Sequence, residues 1–163
     1  MMLTVSLLVC AMMALTGAAV DSHIIKRSTP CPVGWTAFKD RCFNYIPTPM
    51  SWPHAERTCR NQGGHLASVH SFEEQHVIQA MSLRHTHSHP LTWLGGYDIA
   101  RNRTWFWTDG SPFNFYYWHV GEPNYSAGTS CLLMNFGDVK KFDDDSCSNR
   151  RPFVCAKNIS EEI

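Results

Sequence analysis

From residue 31 onward, short apolar runs alternate with polar turns. Across CPVGWTAFKDRCFNYI, the aromatics Trp35, Phe38, Phe43 and Tyr45 sit among polar residues on either side of a short spacer. That alternation predicts two short strands. Helical spacing takes over in SWPHAERTCRNQGG, where Trp52, Ala55 and Cys59 fall on one face. Ser51 is the expected N-cap, Pro53 fits only in a first turn, and Gly63-Gly64 ends the run. Leu66 and Val69 then point inward. Ser71-Phe72-Glu73-Glu74 reads as a capping box, with Ser at the N-cap and Glu at N3, and Val77, Ile78 and Met81 continue a second helix. LTWLGGYD is a buried-strand pattern in which Gly95-Gly96 marks a close backbone approach. Trp105 and Trp107 alternate with Phe106 and Thr108 before a turn at Asp109-Gly110-Ser111-Pro112. CLLMNF and RPFVCAK are two further strands around an acidic loop.

The strand period of the Trp105–Trp107 stripe assigns it to the core rather than to a ligand platform. Phe113, Phe115, Tyr116 and Tyr117 are denser than core packing needs, so some of them are expected at the surface. His85, His87 and His89 form a His-x-His-x-His tract before Pro90. Imidazoles at that spacing can hold zinc or copper, but no acid or Cys partner lies nearby in sequence, and a solvated loop is the expected role.

The chain ends change the picture next. Residues 1–19 are apolar and uncharged, with Gly17, Ala18 and Ala19 following the apolar run, as in a secretory signal peptide. The run is a poor membrane span, although an uncleaved anchor is the competing reading. Residues 20–27 end in Lys26-Arg27 and are either a propeptide or a plain flexible arm. Loss of both pieces leaves 136 of the 163 residues, enough for one domain over 28–157 and a polar tail over 158–163. Of the seven cysteines, Cys10 leaves with the leader. Six remain, an even set that implies bridges in a secreted chain and allows 15 pairings. Formal net charge is zero and no basic stripe is present, which argues against nucleic acid. No Ser-His-Asp or His-Glu-x-x-His constellation is visible, so an enzyme is not expected.

The ordered motifs resemble those of the C-type lectin-like domain family. These are the Cys-Pro-x-Gly-Trp start at Cys31, Ala55-Glu56-x-x-Cys59, Gly63-Gly64-x-Leu66-Ala67-Ser68, and the Trp-x-Trp-x-Asp-Gly-x-Pro segment from Trp105 to Pro112. Gly96 departs from the family's Trp-Ile-Gly-Leu strand, where an aliphatic residue is usual. The resemblance spans Cys31 to about Lys157. It implies an α+β fold: a single domain of two helices with antiparallel sheets, a long ligand-binding loop region and three disulfides. The implied pairs are Cys31–Cys42, Cys59–Cys155 and Cys131–Cys147, each contributing about 3–5 kcal/mol in the chain-entropy account.

In calcium-binding members the resemblance points to Glu122 and Asn124 as metal ligands flanking Pro123, whose preceding peptide bond is cis. An acid two residues before the next cysteine is a further ligand there, and here that position is Thr129. The family's Trp-Asn-Asp reads Phe142-Asp143-Asp144, so both acids offer oxygens, while Asp145 is a bystander. The implied set is Glu122, Asn124, Asp143 and Asp144 for calcium. Glu122, Asn124 and Asp143 also touch sugar. Loss of the acid at Thr129 weakens the metal site or abolishes it, because ligand number and charge set calcium affinity. Glu-Pro-Asn implies mannose-like ligands. Sequons stand at Asn102, Asn124 and Asn158, and a glycan on Asn124 would remove a ligand and cover the site.

The expected function is therefore a secreted, calcium-dependent lectin for glycans on cell or microbial surfaces, acting in recognition or innate defence. The leader and domain also resemble fish type II antifreeze proteins, which makes ice binding the first alternative. The second is a calcium-independent lectin-like domain that binds protein through its aromatic loops.

Overall fold

The computed structural model describes residues 31–98, 100, 102–126, 128 and 130–159. The expected leader (1–19), the candidate propeptide (20–27), Thr129 and the end of the tail lie outside the described residues.

Two strands open the domain, β1 (Thr36–Phe38) and β2 (Arg41–Met50), as the aromatic alternation predicts. Helix α1 (Trp52–Asn61) follows, with Ser51 extended at its start, Pro53 in the first turn, and Ala55 and Cys59 buried one turn apart. Ser51 occupies the N-cap position without capping a backbone N–H. Its hydroxyl instead shares a 2.7 Å hydrogen bond with His54 Nδ1. Gly63, at φ 79°, turns the chain into β3 (His65–Leu66), a conformation that favours glycine. Helix α2 (Phe72–Thr86) begins with Ser71 Oγ accepting from the Glu74 N–H at 3.2 Å. The return half of the capping box is diverted: Glu74 accepts from His70 N–H at 2.7 Å and from Arg41 at 2.8 Å. Acids in the first turn and Arg84 and His85 in the last complement the helix dipole.

The remaining strands are β4 (Thr92–Asp98), β5 (Phe106–Trp107), β6 (Ser130–Phe136), β7 (Lys141–Ser146) and β8 (Arg151–Asn158). They form a sheet in the order β1-β2-β8-β4-β6-β7, with β3 on β8 and β5 on β4. Pairing is antiparallel, as expected, except between β4 and β8, which run parallel at Trp93 and Phe153.

Both faces of the central strands are buried. Leu132 and Met134 of β6 join Leu94, Val154, Trp107 and Phe142 in one core. The alternate residues Cys131 and Leu133 join Trp93, Phe153, Cys155, Ala55 and Cys59 in a second. Successive side chains on a strand point to opposite faces, so the sheet divides the two cores. This double burial explains why CLLMNF is an unbroken apolar run rather than an alternating one. Gly96 faces Leu132 so closely that a Cβ there would lie 2.8 Å from its side chain, which accounts for the departure at this position. All three expected disulfides form: Cys31–Cys42, Cys59–Cys155 and Cys131–Cys147. The second spans 96 residues and ties α1 to β8.

Candidate functional site

The site is built where a long loop is clipped onto β7. Between β5 and β6 the chain has little regular structure, but Trp118 forms a parallel bridge with Phe142. The His119 N–H donates to the Phe142 carbonyl at 2.9 Å, and the Phe142 N–H donates to the Tyr117 carbonyl at 2.8 Å. Phe142 is fully buried and meets Trp118 edge-on at 6.0 Å, while Trp118 packs on Trp105 at 4.7 Å. Phe142, which stands where the family has Trp, thus serves packing. This anchor sets Glu122, four residues past Trp118, against the next two residues of β7.

Glu122, Asp143 and Asp144 each offer a carboxylate oxygen, and these atoms lie within 4.8 Å of one another. The Glu122–Pro123 peptide bond is cis. Asp144 is only 5% exposed and is the hub. It accepts from the Asn124 N–H at 2.8 Å, the Tyr125 N–H at 3.1 Å and the Ser130 hydroxyl at 2.7 Å. Burial, together with the Glu122 and Asp144 carboxylates, pushes Asp143 up to about 7.

Asn124 joins this group through its backbone, which also donates to Glu122 at 3.0 Å. Its side-chain oxygen accepts instead from the Ser126 N–H at 2.8 Å. Asp145 stands apart, paired with Arg151 at 2.8 Å and accepting from Asn149 at 2.8 Å, consistent with a bystander. Ser130 was not foreseen. Its position beside Cys131 gives no sequence signal for a group that braces an acid one strand away. The His tract converges on no metal cluster among the described residues, and His85 stacks on Tyr45 at 5.3 Å.

These donors can be tested against a hard cation. Calcium takes oxygen ligands at about 2.3–2.6 Å, so two ligand atoms on one ion lie at most about 5 Å apart. The three acids meet that limit, and burial together with the neighbouring Glu122 and Asp144 carboxylates holds the Asp143 carboxyl raised. The three carboxylates, joined by the Asn124 amide if it turned away from Ser126, would make a chemically suitable oxygen donor set.

A second polar cluster, absent from the sequence reading, lies in a cavity of about 790 Å³ lined by residues including Arg41, Ser68, His70, Asp109 and Ser111. It contains the residue types of a Ser-His-Asp triad without the triad's bonds. Ser68 and Ser111 both donate to Asp109, and His70 Nε2 meets the two hydroxyls at 3.0 and 3.1 Å. Arg41 donates to Ser68 Oγ at 3.0 Å and pairs with Glu74. Both hydroxyl protons are committed to the carboxylate, so neither serine is set up as a nucleophile.

Comparison with known proteins gives the family and the fold. The family model described as "Lectin C-type domain" matches residues 48–157. The chain is 38% identical to ladderlectin of Oncorhynchus mykiss, over 97% of this chain and 95% of that protein. It is 39% identical to the type-2 ice-structuring protein of Hemitripterus americanus, over 95% and 98%. It is 35% identical to the galactose-specific lectin nattectin of Thalassophryne nattereri, over 86% and 89%. Among solved structures, a calcium-dependent type II antifreeze protein in its calcium-free form superposes with a TM-score of 0.73 at 32% identity, covering 78% of this chain and 100% of that one. A calcium-independent type II antifreeze protein gives 0.72 at 36%, covering 80% and 96%. The cow carbohydrate-recognition domain of CD23, solved in the presence of an oligosaccharide, gives 0.71 at 27%, covering 80% and 98%. The chain belongs to the C-type lectin domain family. It is a binding module and not an enzyme, and no helix among the described residues is long and apolar enough to cross a membrane.

Proposed function

We propose that this protein is a secreted, calcium-dependent lectin whose ligands are mannose-type glycans on cell or microbial surfaces. The observation that carries the reading is the convergence of Glu122, Asp143 and Asp144 within 4.8 Å at the surface end of the loop. Glu122, Asp143 and Asp144 would hold the ion, with Asn124 turning its amide away from Ser126. Bound calcium supplies open coordination positions for adjacent sugar hydroxyls. The protein's own contribution is orientation: the Glu122 carboxylate accepts from a hydroxyl, and the Asn124 amide donates to one. Three acids this close favour a divalent ion, while the neutral Thr129 keeps its affinity low.

Calorimetric titration with calcium, followed by passage over a mannose column with and without EDTA, tests the reading. Millimolar-range calcium binding and EDTA-sensitive retention are expected. Retention indifferent to chelation would reject it. Ice binding is favoured by one specific finding, the near full-length similarity to a type-2 ice-structuring protein. Thermal hysteresis with ice shaping, in the absence of sugar retention, would establish that alternative.

A further inference from the structure

The loop beside the acid cluster carries a second concavity. A cleft of about 470 Å³ is lined by residues including Arg103, Trp105, Phe106, Ser111, Phe113 and Tyr116. Phe106 is 52% exposed and Tyr116 is 70% exposed. Neither is an accident of a loose loop. Phe106 is held in β5 against Tyr97, with ring centroids 6.0 Å apart. Tyr116 packs on Phe113 at 5.7 Å and donates its hydroxyl to the Phe113 carbonyl at 3.1 Å. Phe113 in turn packs on Trp105 at 6.1 Å and Trp107 at 4.7 Å. Exposed aromatics fixed by packing are pre-organised for contact, because little side-chain freedom is lost on binding.

Tyr125 links the cleft to the acid cluster by hydrogen bonds. Trp105 donates its indole N–H to the Tyr125 hydroxyl at 3.0 Å, and Arg103 lies over the Tyr125 ring at 5.7 Å. The Tyr125 backbone N–H is one of the donors that fix Asp144. Tyr125 therefore bonds to a cleft-lining residue on one side and to the Asp144 hub on the other, and Arg103, exposed over its ring, offers donors to a ligand there. Ring faces combined with a few polar groups suit a sugar ring, which has an apolar C–H face and a hydroxyl rim.

We propose that this cleft is a second sugar subsite, which takes the next ring of an oligosaccharide whose first ring sits at Glu122, Asp143 and Asp144. The inference rests on the calcium-lectin reading and gives it a substrate class: oligosaccharides in preference to single sugars. The test uses the full chain made through a secretory host with its N-glycans trimmed by endoglycosidase, so that a glycan at Asn102 does not occupy the cleft. Calorimetry at saturating calcium compares methyl α-mannoside with a branched mannotriose. Wild type should favour the trisaccharide by about tenfold. Phe106→Ala and Tyr116→Ala should each remove most of that preference, leaving monosaccharide affinity, calcium affinity and the melting temperature unchanged. Phe106→Tyr, which keeps the ring, should retain it. A wild-type preference that survives both alanine variants overturns the subsite and leaves the calcium lectin standing. Failure of wild type to bind either sugar overturns the lectin reading and the subsite with it.

Discussion

Asp109 and Asp143 are both partly covered acids beside polar neighbours, yet their protons are pushed in opposite directions. Burial by itself would raise Asp109, but the Ser111 and Ser68 hydroxyls, the Ser111 N–H and Arg41 outweigh it and hold the carboxyl below its ordinary range. Burial also acts on Asp143, but there the neighbours are Glu122 and Asp144, and the carboxyl rises to about 7. One cluster supplies its own cation and donors. The other gathers three acids with backbone and hydroxyl donors but no ion pair among the described residues. A closed network of that first kind stabilises a fold, whereas an open one is completed by something from outside. The contrast favours the acid cluster over the cavity of about 790 Å³ as the candidate site, since that cavity lies over the closed network.

The largest effect separating the two clusters should come from Arg41→Ala. The Arg41 and Glu74 side chains are 11% and 8% exposed, and removing Arg41 leaves the buried Glu74 carboxylate without its cationic partner. A loss of about 3–5 kcal/mol in urea unfolding is expected, with calcium affinity unchanged in the protein that remains folded. An equal loss of calcium binding would show that the clusters are coupled. Asp144→Asn acts on the other side. It removes charge from the hub while keeping an acceptor for the Asn124 N–H, so the fold should lose only about 1–3 kcal/mol. Calcium affinity should fall about a hundredfold, roughly 3 kcal/mol. Unaltered calorimetry would remove Asp144 from the ligand set. Thr129→Glu restores the acid that the family places two residues before Cys131 and should tighten calcium about tenfold. No change would mean that the position does not face the ion.

The residues that seek a ligand were more legible in the sequence than those that satisfy one another. Glu122-Pro123 and Asp143-Asp144 are legible because each is an adjacent pair within a short motif of the family, close in sequence to Cys131 or Cys147. Local signals also placed both helices, since Ser51, Pro53, Gly63 and Ser71 act within a turn of themselves. The closed network is not legible locally because Arg41 of β2, the 68–74 stretch and the 109–111 turn are far apart in the chain and meet only in the fold. The same non-locality hid the parallel β4–β8 contact, which depends on strands about 60 residues apart. Motif matching gave residue types at Asn124 and Glu74 but not side-chain direction. A neighbouring N–H at Ser126 takes up the Asn124 oxygen, and Arg41 takes up Glu74.

The smallest effect tests the closed cluster by titration. A carboxyl whose folded pKa is depressed contributes stability above its unfolded pKa, near 3.9, and loses it as pH falls through the folded value. Asp109 is such a group, so part of the wild-type stability should disappear from about pH 5 downward. Asp109→Asn cannot gain or lose that proton. Its urea midpoint should be lower than wild type at pH 7 and should approach the wild-type value as the solution is acidified. The side chain is 26% exposed, so solvent screening keeps the difference modest. Two profiles that stay parallel from pH 7 to pH 3 would mean that the Ser68 and Ser111 hydroxyls do not favour the ionised form. The distinction between a cluster closed by its own donors and one left open for an ion would then rest on the Asp143 side alone.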